Sequence, residues 1–243
     1  MKIRGFTLIE MIVTIVIGSI IMLGIAVYLR LGVQGYSDSI ARQRLQTQAQ
    51  FVTEKMSREI RHAVPNSFFI ADDGKNCLEF IPIAYSGFYS FIGDEIKFVV
   101  GFWDTPPVIH DEMKIVINPT QLSDLSSSSH SIQLDALSVE NNVYTVSSVN
   151  PDGVKVISSS VSNRHFIYDL SSKVKYCFIG SEVQRNGIPI ADNVVYADDQ
   201  SQSYFKYDDT SLYRGGLVHF RLVFQQDGER SVYQQDVQVL NVP

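Results

Sequence analysis

Nineteen consecutive residues, Met11 to Leu29, carry no charge, and a single acid, Glu10, stands at the head of the run. At about 1.5 Å rise per residue, a helix of that length spans roughly 28 Å, close to the roughly 30 Å hydrocarbon core of a bilayer. Its β-branched residues (Ile12, Val13, Ile15, Val16, Ile17) are ordinary membrane-helix material, and no proline interrupts it. A carboxylate in such surroundings is costly, about 2.5–3.5 kcal/mol near the middle of a bilayer and less at its interface. Glu10 therefore requires a partner.

Three readings of this segment compete. A secretory signal peptide would use Lys2 and Arg4 as its basic start and Gly24-Ile25-Ala26 as a small-x-small cleavage site. The length of the run and the acid at its start speak against that. A plain signal anchor explains the length and leaves Glu10 unexplained. The third reading explains both and rests on a family resemblance. Charge alone does not orient the segment, because Arg30, Arg42 and Arg44 follow the run as Lys2 and Arg4 precede it.

The leader Lys2-Ile3-Arg4-Gly5 followed by Phe6-Thr7-Leu8-Ile9-Glu10 resembles the class III leader of type IV pilins and type II secretion pseudopilins. The resemblance implies cleavage between Gly5 and Phe6 by a prepilin peptidase and N-methylation of the new terminus at Phe6. It implies that Glu10 is a filament-assembly residue meeting the amine of an adjacent subunit. The cut would remove Lys2 and Arg4 and leave an α-amine on Phe6, whose reference pKa of about 7.7–8.0 makes it largely cationic at neutral pH. Such a pair would set axial register, the role in which buried ion pairs serve better than as stabilisers. It also places the chain in the inner membrane as a single-pass protein, with its head in the periplasm until it enters a pilus or pseudopilus. The partners it implies are other minor and major pilin subunits, the peptidase, the inner-membrane assembly platform and membrane lipid. Many major pilins carry a helix-kinking proline where this chain has Val27, and its absence, with Gly18 and Gly24 in the run, points to a minor subunit.

The helix is expected to continue beyond the membrane. Ala41, Leu45, Ala49, Val52, Met56, Ile60 and Ala63 recur at steps of three or four, one face of an α-helix. Arg42, Arg44, Glu54, Lys55, Arg58 and Arg61 largely fill the other positions, and Pro65 ends the element. Gly32 and Gly35 are candidates to soften the joint between the two halves. The stripe is read as packing against the chain's own head.

From residue 66 onward the pattern changes to short β-type runs between turn signals. The expected strands are Cys77–Tyr85, Glu95–Phe102, Met113–Ile117, Ser131–Leu137, Val143–Val149, Val154–Ile157, Val174–Ile179, Glu182–Arg185, Leu217–Phe224 and Val232–Val239. Gly180-Ser181, Asn186-Gly187 and Asp227-Gly228 are hairpin signals. Pro82 marks an edge or bulge in the first run, and Asp124 to His130 reads as a surface loop. The fold class is α+β: a long N-terminal α-helix, half membrane and half amphipathic, packed on a mainly antiparallel β-sheet head. The expected organisation is leader 1–5, transmembrane or filament-core helix 6–30, amphipathic continuation 31–64 and β-rich head 65–243. The head is large enough for one core, with room for two sub-sheets.

Charge separates the two parts. Residues 1–64 hold eight Lys/Arg against four Asp/Glu, and residues 65–243 hold twelve against twenty-two. A head with a balance of −10 and no basic stripe argues against nucleic acid as its ligand, because phosphate contacts dominate such binding.

Cys77 and Cys177 fall in separate expected strands, and the leader resemblance puts the head where oxidation is allowed. The expectation is a disulfide stapling an early strand to a late one; two unpaired buried thiols are the alternative. No catalytic constellation emerges. His62, His110, His130, His165 and His219 are scattered, and there is no C-x-x-C, P-loop, nucleophile elbow or dinucleotide fingerprint. No catalytic residue, metal site or cofactor is expected. Asp198-Asp199 and Asp208-Asp209 bracket Tyr196, Tyr204 and Tyr207; such acid pairs can hold Ca²⁺, but their spacing fits no calcium loop, and core or surface filling is the plainer reading. Trp103 before Pro106-Pro107 reads as a packed turn.

Further along, Met56-Ser57-Arg58-Glu59-Ile60-Arg61-His62-Ala63-Val64-Pro65-Asn66-Ser67 resembles the helix end of the larger minor pilins, the W- and J-type class. Cys77-Leu78-Glu79-Phe80-Ile81-Pro82-Ile83, Tyr176-Cys177 and Val239-Leu240-Asn241-Val242-Pro243 are similar to the O-type biogenesis proteins of the mannose-sensitive haemagglutinin (MSHA) pilus. The resemblance implies a non-enzymatic minor pilin acting in pilus initiation and assembly. A J-type minor pseudopilin of type II secretion is the alternative within the class, and an adhesin head displayed on a pilin anchor is the alternative outside it.

Overall fold

The computed structural model describes residues 5–72, 76–101, 106–156, 158–196, 202–208, 216–226 and 228–239. A single helix, α1, runs from Leu8 to Arg61 without a break at Gly32 or Gly35. Its stripe behaves as the spacing predicts: Leu45, Ala49, Val52, Met56 and Ile60 are buried against the head, whereas Ala41 is only half-buried. The helix stops at Arg61, three residues before the expected end. His62 is its C-cap, and Ala63 has already left the helix to form a β-bridge with Pro82.

Fifteen strands follow among the described residues: β1 (Phe69–Asp72), β2 (Asn76–Phe80), β3 (Tyr85–Ile92), β4 (Glu95–Val100), β5 (Lys114–Val116), β6 (Ser131–Gln133), β7 (Ser138–Glu140), β8 (Val143–Ser147), β9 (Arg164–Tyr168), β10 (Val174–Ile179), β11 (Glu182–Arg185), β12 (Ile188–Ala191), β13 (Tyr204–Asp208), β14 (Leu217–Gln226) and β15 (Glu229–Gln238). They build three antiparallel sheets, where one core with two sub-sheets was expected: β1-β2-β10-β11-β12, β13-β14-β15 and β6-β5-β9-β3-β4-β8-β7.

The first two sheets meet beneath α1. Val194 bridges to Phe224, and Val195 N–H donates to Val223 O at 2.8 Å, so the chain leaving β12 pairs with β14. Phe80, Tyr176 and Phe178 from one sheet and Val218, Phe220, Leu222 and Phe224 from the other share one core with the helix stripe. Each large apolar side chain fully buried there contributes about 1.5–3 kcal/mol, which holds the second half of α1 to the head.

The seven-stranded sheet has its own core, including Tyr89, Ile96, Phe98, Ile115, Ile132, Tyr144, Val146 and Ile167. A smaller cluster of Val64, Ile81, Val116, Leu125, Phe166 and Tyr168 joins this sheet to the end of the helix.

Several expected strands are redrawn. The Cys77–Tyr85 run splits, because Pro82 has no N–H for a ladder; β2 ends at Phe80 and a separate strand starts at Tyr85. Ser131–Leu137 contracts to β6, and Val154–Ile157 gives only a Lys155 bridge to Val149, with Ile157 outside the described residues. Asp124 is not on a surface loop. It is buried in a short 3-10 turn (Leu122–Leu125), where Oδ2 accepts bonds from Thr120 N, Thr120 Oγ1 and Gln121 N.

The hairpin signals fare better. Asn186 and Gly187, at φ +50° and +79°, link β11 to β12, matching the positive φ that a type I′ turn needs at both central residues. Gly180-Ser181 links β10 to β11. Asp227, like Trp103, Asp198, Asp199 and Asp209, lies outside the described residues.

Candidate assembly interface

Among the described residues, the N-terminal half of α1 meets no other part of the chain. Leu8, Ile9, Met11, Ile15, Ile20, Met22 and Leu23 are all exposed, and no atom would lie within 4 Å of a Cβ added at Gly18 or Gly24. Thr7 stands at the N-cap in an extended conformation, and its carbonyl accepts from Met11 N–H at 3.2 Å. Gly5 and Phe6 precede the helix, Phe6 being 72 % exposed. Glu10 sits in the first turn, the end of a helix that favours a negative charge. Its carboxylate has no partner among the described residues.

This exposed half-helix is long and apolar enough to cross a membrane. Water would be a poor solvent for such a surface, since exposed apolar patches beyond a few hundred Å² mark membrane or protein contacts. Two environments suit it, lipid or a bundle of similar helices. In either one, a positive partner for Glu10 must come from outside this chain's described residues.

The other half of α1 is fastened to the head by polar contacts that the sequence reading missed. Glu59 is their centre: Oε2 accepts from Tyr176 Oη and Arg185 Nε, each at 2.9 Å, and Oε1 pairs with Lys55 Nζ at 2.9 Å. Burial pushes the Glu59 carboxyl up, but the bonds from Lys55, Arg185 and Tyr176 outweigh it and hold it below the usual range. Tyr176 is pushed up by burial and by the Glu59 charge. Ser57 Oγ bonds Gln235, and two outlying pairs, Arg42–Glu229 at 2.6 Å and Arg44–Asp192 at 3.2 Å, reach the head nearer the exposed half. The only local signal for Glu59 was its i,i+4 spacing from Lys55.

Cys77 and Cys177 are joined in a disulfide. Two of the three tyrosines of the acid-flanked segment pack inward: Tyr196 stacks on Phe178, and Tyr207 lies against Phe68. Asp208 bonds Lys206 and His219, and no group of three metal-binding side chains occurs among the described residues. The histidines stay apart. His219 lies between Asp208 and Asp236, while His165 is buried beside Phe98.

Comparison with known proteins adds one match. No curated protein and no solved structure matches the chain. Residues 1–26 match the family model of the prokaryotic N-terminal methylation motif, so the chain carries a type IV pilin-like prepilin signal on its one long helix.

Proposed function

We propose that this protein is a minor pilin, a structural and non-enzymatic subunit that helps initiate or assemble an envelope filament. The observation carrying this is the combination of the methylation motif with a half-helix that has no apolar partner, and an acid that has no counter-charge, among the described residues. Residues 1–5 act as the leader, and the peptidase cuts between Gly5 and Phe6. The Phe6 amine, once methylated, remains a cation that can neutralise Glu10 of the neighbouring subunit. Until assembly, the apolar half-helix is stored in the inner membrane with the head in the periplasm. Extraction then exchanges lipid contacts for lateral helix contacts, and the Glu10 pair fixes how far one subunit slides along the next.

Within this class the resemblance of the body favours an O-type subunit of an MSHA pilus, with a J-type pseudopilin as its rival. The neighbouring genes discriminate them: haemagglutinin-pilus genes support the first, secretion genes the second. The reading itself is tested by mass spectrometry of the mature chain together with Gly5→Asp and Glu10→Ala variants. The expected mature start is methylated Phe6, and both variants lose filament assembly while the head keeps its fold. An intact start at Met1, trimming after Ala26, or normal filaments in either variant overturns it.

A further inference from the structure

The seven-stranded sheet curls until its two ends face each other across a cleft. Ile132 and Gln133 of β6, at one end of the strand order, and Val146 and Ser147 of β8, beside the other end, border one cavity of about 460 Å³. The side chain of Asn150, in the turn after β8, donates to the Ser128 carbonyl before β6, which braces the two ends against each other. The volume falls within the roughly 300–1,000 Å³ typical of small-molecule sites.

The polar groups at this cleft contrast with the buried and part-buried acids of the fold. Glu59, Glu79 and Asp124 each have strong partners. Lys114, Gln133, Asp135 and Asp152 all border the cavity, yet none makes a side-chain hydrogen bond or ion pair among the described residues. A ligand could engage them without breaking an existing bond. The exposed Ala136 and Pro151 and the half-buried Val149 supply apolar surface at its edge.

We infer that this cleft is a binding site for a neutral saccharide. Sugar hydroxyls donate and accept at once, which suits a set with acceptors at Asp135, Asp152 and Gln133 Oε1 and donors at Lys114 Nζ and Gln133 Nε2. The C–H face of a sugar ring is apolar and matches Val149 and Pro151. Two carboxylates against one ammonium, on a head with a balance of −10, disfavour phosphate or sulfate. The site does not rest on the filament reading, and the failure of either leaves the other standing.

The test uses the full chain in lipid nanodiscs free of sugar detergents, on an array of neutral and sulfated oligosaccharides. Saturable binding to at least one neutral glycan is expected, with no gain on sulfation. Asp135→Asn and Asp152→Asn should each weaken it about tenfold, the scale of a lost hydrogen bond to a charged group. Both residues are exposed, so their urea midpoints should match the parent, and Lys114→Gln gives an independent third variant. Absence of any neutral-glycan binding, preference for sulfated glycans, binding unchanged in all three variants, or capture of extended peptides in place of sugars would overturn the inference.

Discussion

Cys77 and Cys177 are direct cross-strand neighbours on β2 and β10, their Cα atoms 4.2 Å apart although 100 residues separate them in the chain. Ala71 of β1 completes the small cluster around them. The bond closes a loop that contains the whole seven-stranded sheet, so its loss frees the unfolded chain more than a local staple would. Removing a native disulfide of this kind costs about 2–5 kcal/mol. The double variant Cys77→Ala/Cys177→Ala should lower the urea midpoint by that equivalent and abolish the effect of dithiothreitol. Equal midpoints for the oxidised parent and the variant would show that the bond contributes nothing.

Glu59 ties the helix to β10 and β11 through Tyr176 and Arg185. Its folded-state pKa is depressed, so its contribution is present above the ordinary carboxylate value of 4.5 and is lost as pH falls through the folded value. Glu59→Gln should cost about 1.5–3 kcal/mol at neutral pH, the worth of hydrogen bonds to a charged group. The difference between parent and variant should shrink below pH 4, as read by urea titration at several pH values. A gap that stays constant down to pH 3 would refute the assignment.

The first of these relationships was expected from the sequence and the second was not. The helix stripe from Leu45 to Ile60 was legible because a helix that buries one face writes a 3.6-residue period. β14 was legible because Val218, Phe220, Leu222 and Phe224 alternate on its buried face. β9 was not, since Arg164-His165-Phe166-Ile167-Tyr168 is buried on both faces beyond its first residue and leaves no alternation. β3 was hidden by Ser86, Gly87 and Ser90, residues that read as turn formers, and β12 by Pro189, tolerated because β12 is an edge strand. The leader motif and Glu10 sit within nine residues and needed no fold to be seen. The Glu59–Arg185 pair spans 126 residues, and the cleft exists only because β6 and β8 are brought together by the curl of their sheet.

His165 is fully buried on β9, with neither ring nitrogen bonded among the described residues and Phe98 packed edge-on at 5.0 Å. Burial disfavours the imidazolium and lowers its pKa from 6.5 to about 4. The unfolded chain therefore takes up a proton first as the solution is acidified. Stability is unaffected well above pH 6.5, falls between pH 6.5 and about 4, and levels off below that, for a total of about 3 kcal/mol. His165→Leu should remove this acid-sensitive component, measured as the pH dependence of the urea midpoint. A parent profile flat from pH 7 to 4.5, after allowance for carboxylates using the variant, would sink the idea.

Gly87 lies directly between Val100 of β4 and His165 of β9 in the sheet register. A Cβ added there would fall 1.8 Å from the Val99 carbonyl oxygen and 3.1 Å from His165 Cε1. The carbonyl is backbone and cannot swing aside as a side-chain tip would, so Gly87→Ala must push β3 and β4 apart in the centre of the seven-stranded sheet. Overpacking usually costs about 1–3 kcal/mol, and more when backbone must move; about 3 kcal/mol is expected here. Gly101→Ala is the matched control, because its nearest neighbour, the Ser86 carbonyl oxygen, would lie at an ordinary 3.6 Å, and a change within about 0.5 kcal/mol is expected of it. Hydrogen exchange of β3 and β4 amides adds a local readout, with faster exchange in Gly87→Ala alone. Equal urea midpoints and equal protection in the two variants would show that the strands can part at this point without penalty.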